Sequence, residues 1–458
     1  MLQVEDLDFG VDNLSYAKEP QSNRYIVTRN KQFIARVNYF DDDAERVNSV
    51  ELFDGFGNLY RVDFYDFRGF KSLSQWYTPD NKIGTEIWSD VDGRPVIETY
   101  NRYDGNKKFG KTGWRLNADN GAVYMFSNID DLTLHFYDEL NAKYWSDEKE
   151  NIFIVDRTHL ADWHLLHLKR PAYKVMHLHN SHAGDAQDPM HSVMNNFYEY
   201  PLTHANDYNA IISATKKQSA DVRRRFKPKS RLFTIPVGVV PDAVFKQPQV
   251  PMSDRTPGKV LVTARIDPEK GIDRIIEAIG IAQKDVPNIS LYVYGYIDHR
   301  NNDEAITKIN KAIKKYHLEN KVNIKEYVAD VGAVQRKAQI YALASVMEGF
   351  NLSLMEATSN GMFGVTYDVN YGPNELVVDG ENGYIVPFND TEMMAKKFVE
   401  LFNNPDLLQE MSTKSYELSE RYFEKNVWKA WKRLLTDANK PVEYVPEITH
   451  GIGDQRKK

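Results

Sequence analysis

The chain contains no cysteine among its 458 residues. That excludes a disulfide framework, a thiolate nucleophile and a cysteine-ligated metal. It lacks any apolar run long enough to span a bilayer. Its start, Met1-Leu2-Gln3-Val4-Glu5-Asp6-Leu7-Asp8, is acidic and has neither the basic opening nor the apolar stretch of a secretion signal. It also lacks an excess of positive charge. The formal net charge is −7, with bases and acids interspersed, which argues against the basic face that nucleic-acid binding requires. These absences predict a cytoplasmic protein without a membrane span. What is present is an ordinary globular composition, 42% hydrophobic, in a chain too long for one core, so two or three domains are expected.

From about Tyr25 to Phe126 the pattern is antiparallel β. Phe33, Ala35, Val37 and Tyr39 alternate, as do the residues of Leu59–Tyr65. Asp54-Gly55, Gly57-Asn58, Asp92-Gly93 and Asn120-Gly121 mark hairpins, because these pairs supply the positive φ of tight turns. The spacing of the hairpins is read as irregular, so no internal repeat is expected. Near Ile129 the texture changes. Asp130-Asp131 is expected to cap a helix through Leu132, Phe136 and Leu140. Short apolar runs then alternate with helical stretches: Ile152–Val155, Tyr173–Met176, Ala210–Ile212 and Leu232–Ile235. Such alternation marks a parallel sheet with crossover helices. Pro248 to Gly258 is read as a linker. A second α/β set follows, with strands at Val260–Thr263, Leu291–Tyr294, Val322–Ile324, Gly364–Tyr367 and Tyr384–Val386. Ile272, Ile275, Ile276, Ala278 and Ile279 keep helical periodicity. A last helix, about Asn426 to Asp437, is expected to bury Trp428, Trp431 and Leu434, and the tail from Thr449 to Lys458 reads as polar and frayed.

Four constellations carry chemistry. Arg265 and Lys270 follow the strand at Val260–Thr263, where an open parallel sheet binds ligands, and two cations there can neutralise a leaving diphosphate. Read blandly, they are two basic residues on a solvated loop. Glu348 and Glu356 lie eight apart, the first in a Glu348-Gly349-Phe350-Asn351 turn, the second in an apolar helix. A carboxylate on an apolar segment is costly unless paired, and two carboxylates suit sugar hydroxyls. A helix cap and a glycosidase pair are the competing readings. Tyr371-Gly372-Pro373-Asn374-Glu375 has a glycine that lets backbone approach a phosphate and a proline suited to a helix start; the alternative is a plain strand-to-helix turn. His177-Leu178-His179-Asn180-Ser181-His182 offers an imidazole to a sugar. It also resembles a metal-binding His-x-His-x-Asp-His pattern, but Ser181 stands where the acid belongs, so no metal is expected. Asp41-Asp42-Asp43 reads as a polar turn.

Together these motifs resemble the retaining GT-B glycosyltransferases of family 4. Arg265, Lys270, Glu348, Glu356 and the Gly372-Pro373 turn stand in that family's order, and the likeness spans about Lys259 to Leu435. The aromatic β region resembles the sheet extension of bacterial wall teichoic acid α-glycosyltransferases and of enzymes that add GlcNAc to serine-rich adhesins. The His loop before Asn195-Asn196-Phe197-Tyr198 fits the same subgroup. The resemblance implies an α/β fold: a GT-B pair of Rossmann-like domains plus an antiparallel β-sheet extension. Residues 1–128 would be the extension, serving acceptor binding or oligomerisation. Residues 129–255 would be the N-terminal Rossmann-like part, 256–440 the donor-binding domain and 441–458 a tail. The family's opening strand and Gly-rich loop are not found before the extension, so the N-terminal Rossmann domain is expected to be incomplete. The implied activity is transfer of glucose or N-acetylglucosamine from a UDP-sugar to a cell-wall polyol-phosphate polymer or a serine-rich surface protein. Configuration would be retained, and neither metal nor cofactor would be used. Arg265 and Lys270 would hold the diphosphate, with Gly372 and Pro373 beside it. Glu348, with Gly349, Phe350 and Asn351, would meet the donor sugar, Glu356 the ribose, and backbone at Tyr327 and Val328 the uracil. His182 is expected beside the transferred sugar, with His179 second and on the acceptor side. The implied partners are a further copy of the chain or a partner transferase. The alternative is a non-catalytic acceptor-binding subunit of a glycosyltransferase pair.

Overall fold

A computed structural model of the chain describes residues 2–41 and 44–440, and only the backbone of 300 and 301. Asp42, Asp43 and the tail beyond 440 lie outside the described residues, and with them the expected polar turn and frayed end. The chain forms two compact units, Met1–Leu140 and Asn141–Lys458.

The first unit is a ten-stranded antiparallel meander in sequence order. Its strands are β1 (Leu14–Lys18), β2 (Arg24–Arg29), β3 (Gln32–Tyr39), β4 (Val47–Phe53) and β5 (Leu59–Tyr65). They continue as β6 (Lys71–Tyr77), β7 (Ile83–Ser89), β8 (Pro95–Tyr103), β9 (Phe109–Asn117) and β10 (Val123–Phe126). The expected irregularity of the hairpins is corrected here. One turn recurs at Asp54, Asp66, Thr78 and Asp90, every twelfth residue, and again at Asp104 and Ala118. In each, the first residue accepts from the N–H three positions on and donates to the carbonyl four on. At Asp54, Asp66, Asp90 and Asp104 a side-chain oxygen also accepts from the N–H two residues on. The repeat therefore lies in turn chemistry rather than in a fixed Asp-Gly pair. Val27, Ala35, Val37, Val47, Val50 and Leu52 form an apolar core at one end. Further along, buried acids are matched: Asp63 by Arg61 at 2.9 Å, Glu86 by Lys111 at 2.6 Å.

A helix, α1 (Ile129–Lys143), follows. Its cap is Asn128, whose Oδ1 accepts from the Asp131 N–H at 2.8 Å. Asp130 and Asp131 occupy the first turn, where carboxylates meet the positive end of the helix. Phe136, expected inward, is exposed.

The second unit contains two parallel sheets. The first runs β11 (Ile152–Val155), β12 (Tyr173–Leu178), β13 (Ala210–Ser213), β14 (Arg231–Thr234), in that spatial order. Between them lie α2 (Thr158–Leu166), α3 (Asn196–Thr203) and α4 (Lys216–Phe226), and then α5 (Asp242–Phe245). The second comprises β15 (Lys259–Thr263), β16 (Ser290–Tyr294), β17 (Val322–Lys325), β18 (Ile340–Leu343), β19 (Phe363–Tyr367) and β20 (Gly383–Val386). Their order is β17-β16-β15-β18-β19-β20. Its helices are α6 (Ile272–Ala282), α7 (Arg300–Tyr316), α8 (Val331–Gln335), α9 (Leu352–Ser359), α10 (Pro373–Leu376), α11 (Thr391–Phe402) and α12 (Pro405–Ser419). β18 was not expected from sequence. All four of its residues are buried, so it shows no alternation.

The last helix, α13 (Glu424–Ala438), packs back on the first sheet. Leu434 and Ala438 join Tyr173, Val175, Ala210, Ile212 and Ile235 in one core, with Trp431 against its edge. Trp428, expected to be buried, is 57% exposed. The inward stripe is Val427, Leu434 and Ala438, spaced seven and eleven residues on one face, and Trp428 sits about 100° round from it.

Candidate active site

The second sheet changes winding direction at β15. From β15 the chain moves outward to β16 and β17, then returns to β18 on the other side. Such a switch point leaves a crevice beyond the carboxyl ends of the two adjoining strands. The residues following β15 and β18 therefore face one another. Lys270, after β15, places Nζ 2.8 Å from Oε1 of Glu348, after β18. Glu348 is 8% exposed, so both charges are held largely out of water.

A cavity of about 230 Å³ lies beyond the carboxyl ends of β15 and β16. Arg265, Tyr327, Val328 and Glu356 line it, together with Tyr294–Tyr296 and Ser353. The sequence separates these residues widely, and strand ends bring them together. Arg265 donates through Nε to Asp267, with Asp298 3.8 Å away. Burial pulls its pKa down, but Asp267 and Tyr296 outweigh this and hold it above the ordinary value. Glu356 is exposed at the cavity wall rather than sunk in the apolar run, and burial of part of its side chain raises its pKa.

Two glycines fix how the loops meet. A Cβ on Gly349 would fall 2.0 Å from the carbonyl oxygen of His179. The Glu348 turn is thus packed directly on the His loop of the first sheet. A Cβ on Gly372 would fall 1.7 Å from the Phe350 carbonyl oxygen. Gly372 is required by backbone packing, and Pro373 takes the first position of α10. Asn351 caps α9, its Oδ1 accepting from Leu354 N–H at 2.8 Å, and Phe350 is buried.

The His loop divides its rings. His182 has no exposed surface. Its Nε2 lies 3.1 Å from Pro189 O, and its ring stacks on Tyr371 with centroids 5.8 Å apart. In this structure the ring expected beside the sugar is thus sealed between Tyr371 and the Pro189 carbonyl. His179 is partly exposed. Its Nε2 lies 2.9 Å from Asp156 Oδ1, and His177 Nδ1 lies 2.9 Å from the same oxygen. Tyr198 Oη accepts from the N–H groups of His179 and Asn180 at 3.0 and 3.1 Å, so α3 fixes the loop backbone. Asp156, at the end of β11, was not anticipated. It is a single acid 21 residues before His177, and only the parallel pairing of β11 with β12 unites them. Asp156, His177 and His179 are the residues among those described whose ligand atoms cluster as for a metal; the two imidazole–carboxylate hydrogen bonds account for this clustering.

The buried rings give a pH prediction. Burial pulls the pKa of His177 and of His182 down to about 4 from 6.5. Between those values the unfolded chain binds more protons than the folded one. Stability is therefore full above about pH 6.5 and drains as pH falls toward 4, by up to roughly 3 kcal/mol per ring. Tm is expected to fall steadily from pH 7 to pH 5, with a shallower slope in His182→Asn. A Tm unchanged over that range would contradict it.

Residues 244–418 match the family model described as Glycosyl transferases group 1. The chain has the GT-B glycosyltransferase fold. It aligns with the pneumococcal O-GlcNAc transferase GtfA, whose crystal structure holds UDP and GlcNAc, at a TM-score of 0.78 and 22% identity, covering 96% of this chain and 84% of that one. In sequence it is 28% identical over 449 residues to the UDP-N-acetylglucosamine–peptide N-acetylglucosaminyltransferase GtfA subunit of Limosilactobacillus reuteri subsp. suis, covering 93% of this chain and 79% of the relative. It is 25% identical over 392 residues to the poly(ribitol-phosphate) alpha-N-acetylglucosaminyltransferase of Staphylococcus aureus, covering 84% and 74%. The chain is thus a relative of glycosyltransferases whose names give a peptide or a polyol-phosphate polymer as acceptor. Among the described residues no helix is long and apolar enough to cross a membrane.

Proposed function

We propose that the chain is a retaining, metal-independent hexosyltransferase acting in the cytoplasm. It moves glucose or N-acetylglucosamine from a UDP-sugar to a polyol-phosphate polymer or a serine-rich protein. What supports this is the cavity at the strand ends that gathers Arg265, Tyr327, Val328 and Glu356, together with the Lys270–Glu348 pair at the switch point. In this reading Tyr327 and Val328 meet the uracil and Glu356 the ribose. Arg265 and Lys270 face the diphosphate and neutralise the charge that grows as it leaves. Glu348 accepts from sugar hydroxyls. The acceptor enters on the face the diphosphate departs from, and the diphosphate takes its proton. His179 replaces His182 beside the sugar. Asp156 fixes which of its nitrogens carries the proton, since Nε2–H donates to the carboxylate. The antiparallel unit is the surface for acceptor, for a second copy or for a partner transferase.

Calorimetric titration with UDP, and with GDP as control, tests the donor site. UDP is expected to bind, GDP to bind much less, and Arg265→Ala to abolish the difference. A chain that binds neither nucleotide is better read as the acceptor-binding partner of a transferase pair.

A further inference from the structure

Residues 216–231 hold eight Lys and Arg against one acid, Asp221, in a chain of net charge −7. Most of this segment is α4. Gln218, Asp221 and Val222 face inward, while Lys216, Lys217, Arg223, Arg224 and Lys227 are exposed. A step of seven residues returns to nearly the same face of a helix. Lys216 and Arg223 therefore share one face of α4, and Lys227, its left-handed C-cap, stands at the far end of the row.

Some surface cations elsewhere are held by acids, as in Lys111–Glu86, Lys397–Glu400 and Lys414–Glu417. In this segment Arg224 pairs with Asp221 and Arg231 with Asp437, and Arg225 donates to the carbonyls of Pro189 and Ser192. Lys216, Lys217, Arg223, Lys227 and Lys229 have no ion pair among the described residues. The row also begins at the candidate site. Gln218 Nε2 donates to the carbonyl of Asn180, next to His179, at 2.7 Å. The Lys216 N–H donates to Glu375, just beyond the Gly372-Pro373 turn, at 3.3 Å. No large apolar side chain is exposed along it, whereas a helix that lies in a membrane surface needs an apolar face.

We propose that this row is a track for a polyanionic acceptor, a chain of phosphodiester-linked polyol units running along α4 to the transfer site. The proposal rests on the reading of that site as a sugar-transfer centre. Unpaired cations in a line suit phosphates in a line: each phosphate neutralised releases counterions, so binding is strong at low salt and weakens as salt rises. An uncharged serine-rich segment gains nothing from such a row.

The test is binding of synthetic glycerol-phosphate oligomers to the full chain, followed by fluorescence anisotropy across a salt series. The triple variant Lys216→Glu/Arg223→Glu/Lys227→Glu is measured alongside. The parent is expected to bind the oligomer with a steep salt dependence, and the variant at least tenfold more weakly. Thermal melting of the variant reads whether its fold survives. Equal binding by parent and variant overturns the track, as does a parent that binds no oligomer. Binding only to vesicles containing phosphatidylglycerol, or equally to an uncharged Ser/Thr peptide, also overturns it. A parallel UDP titration separates the two claims. Oligomer binding through the row without UDP binding keeps the track and sinks the transferase reading. UDP binding without oligomer binding does the reverse.

Discussion

Lys270→Ala is expected to lower kcat/KM for the UDP-sugar by about 10²–10³, or about 3–4 kcal/mol of transition-state stabilisation. Two effects act together. The variant loses a cation at the developing diphosphate. It also leaves Glu348, 8% exposed, without the ammonium 2.8 Å away, so the incoming diphosphate meets a bare carboxylate. The double variant Lys270→Ala/Glu348→Gln separates the two. Relieving the repulsion should restore part of the UDP affinity, while turnover stays low because the sugar loses its charged acceptor, keeping only a neutral amide oxygen. Steady-state kinetics and UDP titration on the four proteins of this cycle read the coupling directly. Turnover in Lys270→Ala equal to that of the parent would remove Lys270 from the reaction.

Arg255→Ala is the substitution expected to cost most stability, about 3–4 kcal/mol. Its guanidinium is 2% exposed and has no carboxylate partner in its hydrogen bonds. It donates instead to the carbonyls of Val250, Gln335, Ala338 and Asn360 and to the Tyr416 hydroxyl. Burial without a counter-charge lowers its pKa. One fork thus satisfies carbonyls from the segment before β15, from α8 and the turn after it, and from the end of α9. Truncation would strand these carbonyls and leave a cavity. Lysine is expected to recover little, because a point charge cannot reproduce the fork. Denaturant unfolding measures the loss, and a change below 1 kcal/mol would show that water replaces the guanidinium.

Most strands were legible because their apolar runs are short and bounded. Leu59–Tyr65 and Ile152–Val155 coincide with β5 and β11. β18 was not, since a strand buried on both faces carries no period-two signal and runs directly into the Glu348 turn. The turn repeat was hidden because Thr78 and Ala118 stand where Asp recurs elsewhere, and because its spacing widens after Asp90. At the site, Arg265 and Lys270 stood out because they follow a legible strand, Glu348 because of its Glu-Gly-Phe-Asn turn and Glu356 because it sits in an apolar helix. Choosing between His179 and His182 needed burial, which neighbouring loop positions do not reveal. Asp156 needed strand pairing. The cations of α4 were averaged away in a whole-chain charge count.

The return of α13 to the first sheet has a consequence for biosynthesis. The Tyr173 hydroxyl donates to Asp437, 264 residues later, at 2.8 Å, and Trp431 meets His177 edge-on with centroids 6.0 Å apart. The ribosome delivers β11–β14 long before the helix that seals them. Until residue 438 emerges, that sheet waits with an unfinished apolar face, and closing so long a loop is slow. The apolar core of that sheet is therefore complete only once α13 has been made.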